Sequence, residues 1–162
     1  MMESTIRIAS SGDYHQISRL VAQIQAIHAE TRPDIFNIDP CPLKSDYYQK
    51  LLQDPQSKVF VAEHEGTIIA YAIIRIHVAP QRSIYRNRKF ISVDDLCVDE
   101  AFRGLGTGRH LLEYIFHYAK ENGSESVELG VLEFNTEAIR FYESMGMQTR
   151  SRRMEIRLKD FE

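Results

Sequence analysis

Val98-Asp99-Glu100-Ala101-Phe102-Arg103-Gly104-Leu105-Gly106-Thr107-Gly108-Arg109 is the stretch on which the fold turns. A β-rich run ends at Val98, three glycines follow at alternate positions, and an amphipathic helical pattern begins. Glycine has no Cβ, so its backbone N–H can come close to an anion. A helix N-terminus adds partial positive charge and unpaired donors. Pyrophosphate is the natural ligand of such a cradle. Two familiar glycine-rich turns fail on spacing. The dinucleotide turn G-x-G-x-x-G would need glycine at Arg109 or at Leu111. A P-loop would need lysine after its last glycine, and none follows. The bland alternative is a connection with no ligand, but three alternating glycines at a helix start serve little structural purpose alone.

The pattern extends in both directions from this turn. Residues 90–98 read as a strand. Residues 107–122 read as a long helix with Leu111, Leu112, Ile115, Phe116 and Ala119 on one face, ended by Asn122-Gly123. A strand at 126–131, a helix at 135–145 stopped by Gly146 and a β segment at 152–158 follow. Upstream, 58–63 and 67–76 form a hairpin signal around His64-Glu65-Gly66. A short helix at 45–53 is stopped by Asp54-Pro55. Residues 31–42 carry Pro33, Pro40 and Pro42 and read as an irregular loop. Gly12-Asp13 opens a helix with Ile17, Leu20, Val21, Ile24 and Ile27 at helical spacing, and 5–9 is a short strand. The order is β-α-α-β-β-β-α-β-α-β. It predicts an α/β fold, a mixed sheet flanked by helices with a right-handed β-α-β crossover, as a single domain over residues 1–162.

Composition narrows the function. The 162 residues carry a net charge of -3, against a nucleic-acid protein that works through a basic field. A mildly acidic pocket that attracts cationic amines fits this balance. No apolar run approaches the roughly 20 residues of a membrane helix. The start, MMESTIRIAS, lacks the basic and apolar regions of a secretory signal. Cys41 and Cys97 have neither metal-site nor redox-pair spacing and read as reduced thiols, which points to the cytoplasm. The six histidines are scattered, so no metal is expected.

Two motifs carry a resemblance. Arg103-Gly104-Leu105-Gly106-Thr107-Gly108 matches the pattern Gln/Arg-x-x-Gly-x-Gly/Ala at every specified position. Downstream, Asn135-Thr136-Glu137-Ala138-Ile139-Arg140-Phe141-Tyr142-Glu143-Ser144-Met145-Gly146 matches N-x-x-A-x-x-F/L-Y-x-x-x-G. With both in order, the chain resembles the GNAT superfamily of acetyl-CoA-dependent N-acetyltransferases over about residues 59–147. The resemblance implies acetyl-CoA as cosubstrate. Backbone groups of Leu96 and Val98, flanking Cys97, would pair with its pantetheine arm as if it were an extra strand. Amides of Arg103, Gly104, Leu105, Gly106, Thr107, Gly108 and Arg109 would hold its pyrophosphate. Asn135 would orient it, with Ala138 beside it in the motif. Tyr142 would protonate the departing sulfur. Read without the motifs, Tyr142 is a half-buried core tyrosine and Asn135 a helix cap.

The acceptor amine must lose a proton, and Asp94 and Asp95 lie on the strand feeding the cradle. Adjacent strand residues point to opposite faces, so only one of them is expected at a given cleft, with Asp95 on the face of Val93 and Cys97. The alternative for such a carboxylate is an ion pair with Arg82, Arg86, Arg88 or Lys89. The acidic pair resembles that of diamine acetyltransferases, which implies a small cationic acceptor. Where ribosomal-protein acetyltransferases carry a glutamate base this chain has Gly130, and where histone-type enzymes carry one it has Ser92. The base stays open between Asp94, Asp95 and a water chain. Loop 28–36 borders the acceptor cleft by family analogy, and Cys97 reads as a packing residue rather than a nucleophile. The expected reaction is direct transfer of acetyl to a primary amine. The rivals are a protein or peptide amine acetyltransferase and a non-catalytic acyl-CoA-binding module. A homodimer is a family habit, and neither nucleic acid nor membrane is an expected partner.

Overall fold

The computed structural model describes residues 3–161. The chain divides into two compact units, Met1–Gly130 and Val131–Glu162.

In the first unit, β1 (Thr5–Ile8), β2 (Ser57–His64), β3 (Thr67–Val78), β4 (Lys89–Val98) and β5 (Ser126–Leu129) form one sheet in the order of the sequence. The first three pairings are antiparallel and β4 pairs β5 in parallel. The β2–β3 turn is tight: His64 pairs with Thr67, and Glu65 and Gly66 take φ of 48° and 78°. Two successive positive φ values match the right-handed twist of the strands, and glycine at the second makes that turn cheap.

Helices α1 (Tyr14–Thr31) and α2 (Ser45–Gln53) cover one face of this sheet. Ile17, Leu20 and Val21 of α1 and Tyr48 and Leu51 of α2 pack with Val59, Val61, Ile68, Tyr71, Ile73 and Cys97. The alternate residue Phe60 points the other way and meets Tyr114 and Tyr118 of α3 (Thr107–Glu121) at ring distances of 5.2 and 5.1 Å. Leu111, Leu112 and Ile115 of α3 are fully buried. Each such side chain contributes about 1.5–3 kcal/mol of burial. The helical spacing read from the sequence therefore marks the buried face. Asp13 ties β1 to the start of α1. Its carboxylate accepts from Arg7 at 2.8 Å and from the Ser10 amide at 2.7 Å. The Arg7 hydrogen bonds hold its carboxyl down to about 2 against the opposing effect of burial.

The second unit contains α4 (Thr136–Ser144). Asn135 Oδ1 accepts from the Ala138 amide at 3.1 Å, the cap expected of this residue. At the other end the Met147 amide donates to Tyr142 O at 3.1 Å and the Gly146 amide to Glu143 O at 2.9 Å. This closing pair needs a left-handed residue, and Gly146 supplies it with φ 86°.

The strand expected at 152–158 is not formed. Residues 151–157 are irregular and a single 3-10 turn, Leu158–Asp160, follows. The alternation of Met154, Ile156 and Leu158 that suggests a strand is real, but these side chains are exposed. Alternation becomes a strand only where a neighbour supplies the hydrogen-bond ladder, and these residues pair with none among the described residues. Strand β5 also stops at Leu129, before Gly130 and Val131.

Candidate active site

The glycine-rich turn begins at Asp99, which is 6% exposed. Its Oδ1 accepts from the Ala101 amide at 3.1 Å, capping a short 3-10 turn over Glu100–Phe102. Its Oδ2 accepts from Arg19 of α1 at 2.6 Å. Burial would push this carboxyl up, yet the bonds from Arg19 and Ala101 hold it below its usual range. The chain then turns through Gly104 and Gly106 with φ of 74° and 90°, a region open to glycine and costly for other residues. Gly106 is the residue before α3, so the left-handed bend leads directly into the helix start.

The donors of this bend are left over. The first α3 bond that reaches back to the turn runs from His110 N to Gly106 O, and no backbone bond starts from an amide of residues 104–109 among those of turns and caps. Thr107 Oγ1 is buried with no hydrogen-bond partner, on a residue 3% exposed. An orphaned buried hydroxyl beside orphaned helix-start amides fits an anionic ligand such as a pyrophosphate.

Strand β4 supplies the second element. Its parallel pairing with β5 ends at Val93 opposite Leu129, while β4 itself continues to Val98. Residues 94–98, including Leu96, Cys97 and Val98, thus keep an edge that β5 does not cover. An unpaired edge accepts an extended ligand by main-chain hydrogen bonds.

The same strand carries a bulge that sequence parity does not show. Ile73 faces Asp95 but Ile74 faces Val93, so Asp94 is the extra residue on β4. Cross-strand partners share a face, and Ile73 and Ile74 are on opposite faces. Val93 and Asp95 therefore lie on opposite faces, not on the common one that counting by twos assigns. The bulge also removes the expectation that only one of the two aspartates serves a given face. Asp94 accepts from Ser92 Oγ at 2.5 Å and pairs with Arg75 at 3.5 Å, whereas Asp95 accepts from Tyr71. Tyr71, Ile73 and Arg75 alternate along one face of β3.

The two carboxylates differ in environment. Asp94 is exposed and its partner is Arg75, not one of the basic residues of the loop after β3. Asp95 is largely enclosed. The Tyr71 hydroxyl donates to its Oδ2 at 2.6 Å. Burial pushes the Asp95 carboxyl above its usual range, while Tyr71 and the neighbouring His28 of α1 pull against that rise. A carboxyl raised by burial in this way is a candidate proton acceptor. Cys97 is 3% exposed and burial pushes its thiol up to about 11, which suits the packing role read from the sequence.

The sequence-predicted residues thus fall into two groups. Asp94 to Val98 and Arg103 to Arg109 lie together along β4, the turn and the start of α3. Asn135, Ala138 and Tyr142 lie on α4 and its cap, with the Phe141 and Tyr142 rings 5.3 Å apart. Tyr71 and Arg19 escaped sequence reasoning, because nothing local marks a strand tyrosine or a helix arginine whose partner is 24 or 80 residues away.

The model of the acetyltransferase (GNAT) family matches residues 21–147. The chain belongs to this family. As a GNAT member it is an acyltransferase. The crystal structure of a BH1408 variant from Bacillus halodurans is 36% identical and covers 94% of this chain and 99% of its own, with a TM-score of 0.92. The mycothiol acetyltransferase of Thermomonospora curvata is 33% identical over 54% of this chain, and the match spans only 27% of that relative's length. An aminoglycoside N-acetyltransferase, AAC(6')-Iy, solved in complex with CoA, shares the fold at 15% identity with a TM-score of 0.72 over 94% of this chain and 98% of its own. No group of three or more metal-ligating side chains exists among the described residues, and no helix there is long and apolar enough to cross a membrane.

Proposed function

We propose that this GNAT acyltransferase moves the acetyl group of acetyl-CoA onto a small cationic primary amine by direct attack in a ternary complex. The observation that carries this reading is the run of unused donors at the start of α3, the 104–109 amides and the Thr107 hydroxyl, beside the part of β4 that β5 leaves unpaired. The likeness to an aminoglycoside acetyltransferase that binds CoA supports the same cosubstrate.

Acetyl-CoA supplies a thioester, an activated acyl group on a thiolate leaving group. The chain supplies the rest. The turn amides and the Thr107 hydroxyl hold the pyrophosphate, and the backbone of Leu96 and Val98 aligns the pantetheine arm. Amines of lysine type carry a proton up to about pH 10, so the site needs a base. Asp95 fills that role: it is enclosed, raised by burial and set on the strand that leads to the cradle. It takes one proton from the ammonium, and the freed lone pair forms the new C–N bond. A backbone N–H within 96–98 polarises the thioester carbonyl. As the C–S bond breaks, Tyr142 gives its phenolic proton to sulfur and recovers one from the nitrogen. The Tyr142 assignment rests on its place in the Asn135 motif. Asp94 is held by Arg75 and Ser92 and has no part in the transfer. The two free cysteines suit the cytoplasm, where thiols stay reduced.

The test is a substrate panel. Purified protein with acetyl-CoA is offered diamines, amino acids, aminoglycosides and lysine-bearing peptides, and CoA release is followed. Turnover with small polycations at kcat/KM at least tenfold above peptides supports the reading. A preference for peptides overturns the small-molecule acceptor, and no turnover with any amine overturns the transfer itself.

A further inference from the structure

The structure assigns Tyr71 a positioning role: its hydroxyl holds Asp95 in place as the proton acceptor and sets the pH at which that carboxylate works. The inference rests on the reading of Asp95 as the base. Tyr71 is fully buried in the core under α1, at the level where β3 faces Cys97 of β4. A buried tyrosine hydroxyl needs an acceptor, and this one spends its proton on Asp95 Oδ2 at 2.6 Å, a short charge-assisted bond. The bond fixes one carboxylate oxygen, and the Leu96 amide of the same strand also donates to this carboxylate. Arg75, the cation nearest along this face of β3, is tied to Asp94 of the same bulge and to Asp54 rather than to Asp95.

The groups that face Asp95 are Tyr71 from β3, His28 from α1, and Asp94 and Cys97 from β4 itself. Burial and Asp94 disfavour the charged carboxylate, while Tyr71, His28 and the Leu96 amide favour it. Of these, only the Tyr71 hydroxyl can be removed without changing charge or, to first order, volume. Loss of that hydroxyl removes the largest of the interactions that oppose burial, so the carboxyl becomes harder to ionise. The sign is fixed: the pH below which the base is protonated moves up. Burial also holds the Tyr71 hydroxyl well above the usual phenol range, so it stays a donor throughout the working pH.

The experiment is the pH profile of kcat/KM for the amine at saturating acetyl-CoA, for wild type, Tyr71→Phe and Asp95→Asn, with thermal midpoints as the check on folding. In Tyr71→Phe we expect the acid limb to move up by about one unit, with turnover recovering towards wild type at high pH. Enzyme with 3-fluorotyrosine at position 71, a stronger hydrogen-bond donor, should move the limb the other way. A limb that stays where wild type has it in both proteins, or a uniform loss at every pH, overturns the role of Tyr71. Asp95→Asn tests the underlying reading separately. Turnover within threefold of wild type there removes Asp95 as the base, whatever Tyr71 does. A loss of at least 100-fold keeps Asp95 as the base, and the position of the limb then decides the role of Tyr71.

Discussion

Arg19 reaches from α1 to Asp99 at 2.6 Å and so anchors the first residue of the glycine-rich turn to that helix. Asp99 is nearly buried while the Arg19 side chain is 49% exposed, so the pair is a one-sided clamp. Replacing Asp99 by Asn keeps the shape and removes the charge. We expect a stability loss of about 1–3 kcal/mol, read by urea unfolding. We also expect a roughly tenfold weaker hold on CoA, because the amides of the turn lose their fixed direction. Unchanged affinity would mean that the bend is set by its glycines alone.

Tyr142→Phe removes one hydroxyl and leaves the ring. If this phenol protonates the departing sulfur, kcat falls by about 100-fold or more while CoA affinity stays within about twofold. Steady-state turnover and calorimetry on the same preparation separate the two effects. If the ring serves only in packing, as against Phe141, kcat of the variant would stay near that of wild type.

Asp13 gives a pH signature of the fold rather than of the site. Its carboxyl titrates at about 2 in the folded chain, chiefly because Arg7 donates to it. In the unfolded chain it titrates near 3.9, as an ordinary aspartate does. The folded value is the lower one, so its contribution is complete above about pH 4 and is lost as pH falls towards 2. Arg7 is partly exposed, which reduces that contribution to about 1 kcal/mol. Asp13→Asn should therefore lower stability by about that amount at pH 7, with the two unfolding curves converging near pH 2.

The thiols should separate by reactivity. Cys41 is exposed, while Cys97 is buried with its thiol pushed up to about 11. Near pH 8 only about one Cys97 in a thousand is thiolate, before access is counted. An aromatic disulfide reagent should modify one thiol promptly and the second at least 100-fold more slowly, until urea exposes it. Two equal fast phases would contradict the buried setting of Cys97.

Much of this is legible in the sequence where the signal is local. The hairpin at Glu65-Gly66, the buried stripe of α3 and the Asn135 cap each follow from residues within a turn or two of one another. The glycine-rich turn is legible for the same reason. What escapes depends on residues distant in sequence. The bulge at Asp94 reassigns faces along β4, and only the register against Ile73 and Ile74 reveals it. Arg75 as the partner of Asp94, and Tyr71 as the partner of Asp95, follow from that register. The strand expected at 152–158 fails for the opposite reason: its alternation is present, but pairing is not a property of one segment.

The most direct measurement is a calorimetric titration of CoA into folded protein at two temperatures, beside the Gly106→Val variant. Gly106 sits at φ 90°, where a β-branched side chain is strained, so the variant loses the bend and not the core. We expect one equivalent bound by wild type and at least 100-fold weaker binding by the variant. Absence of heat from well-folded wild type at both temperatures, or equal binding by the two proteins, would contradict a main-chain grip on the coenzyme at this turn.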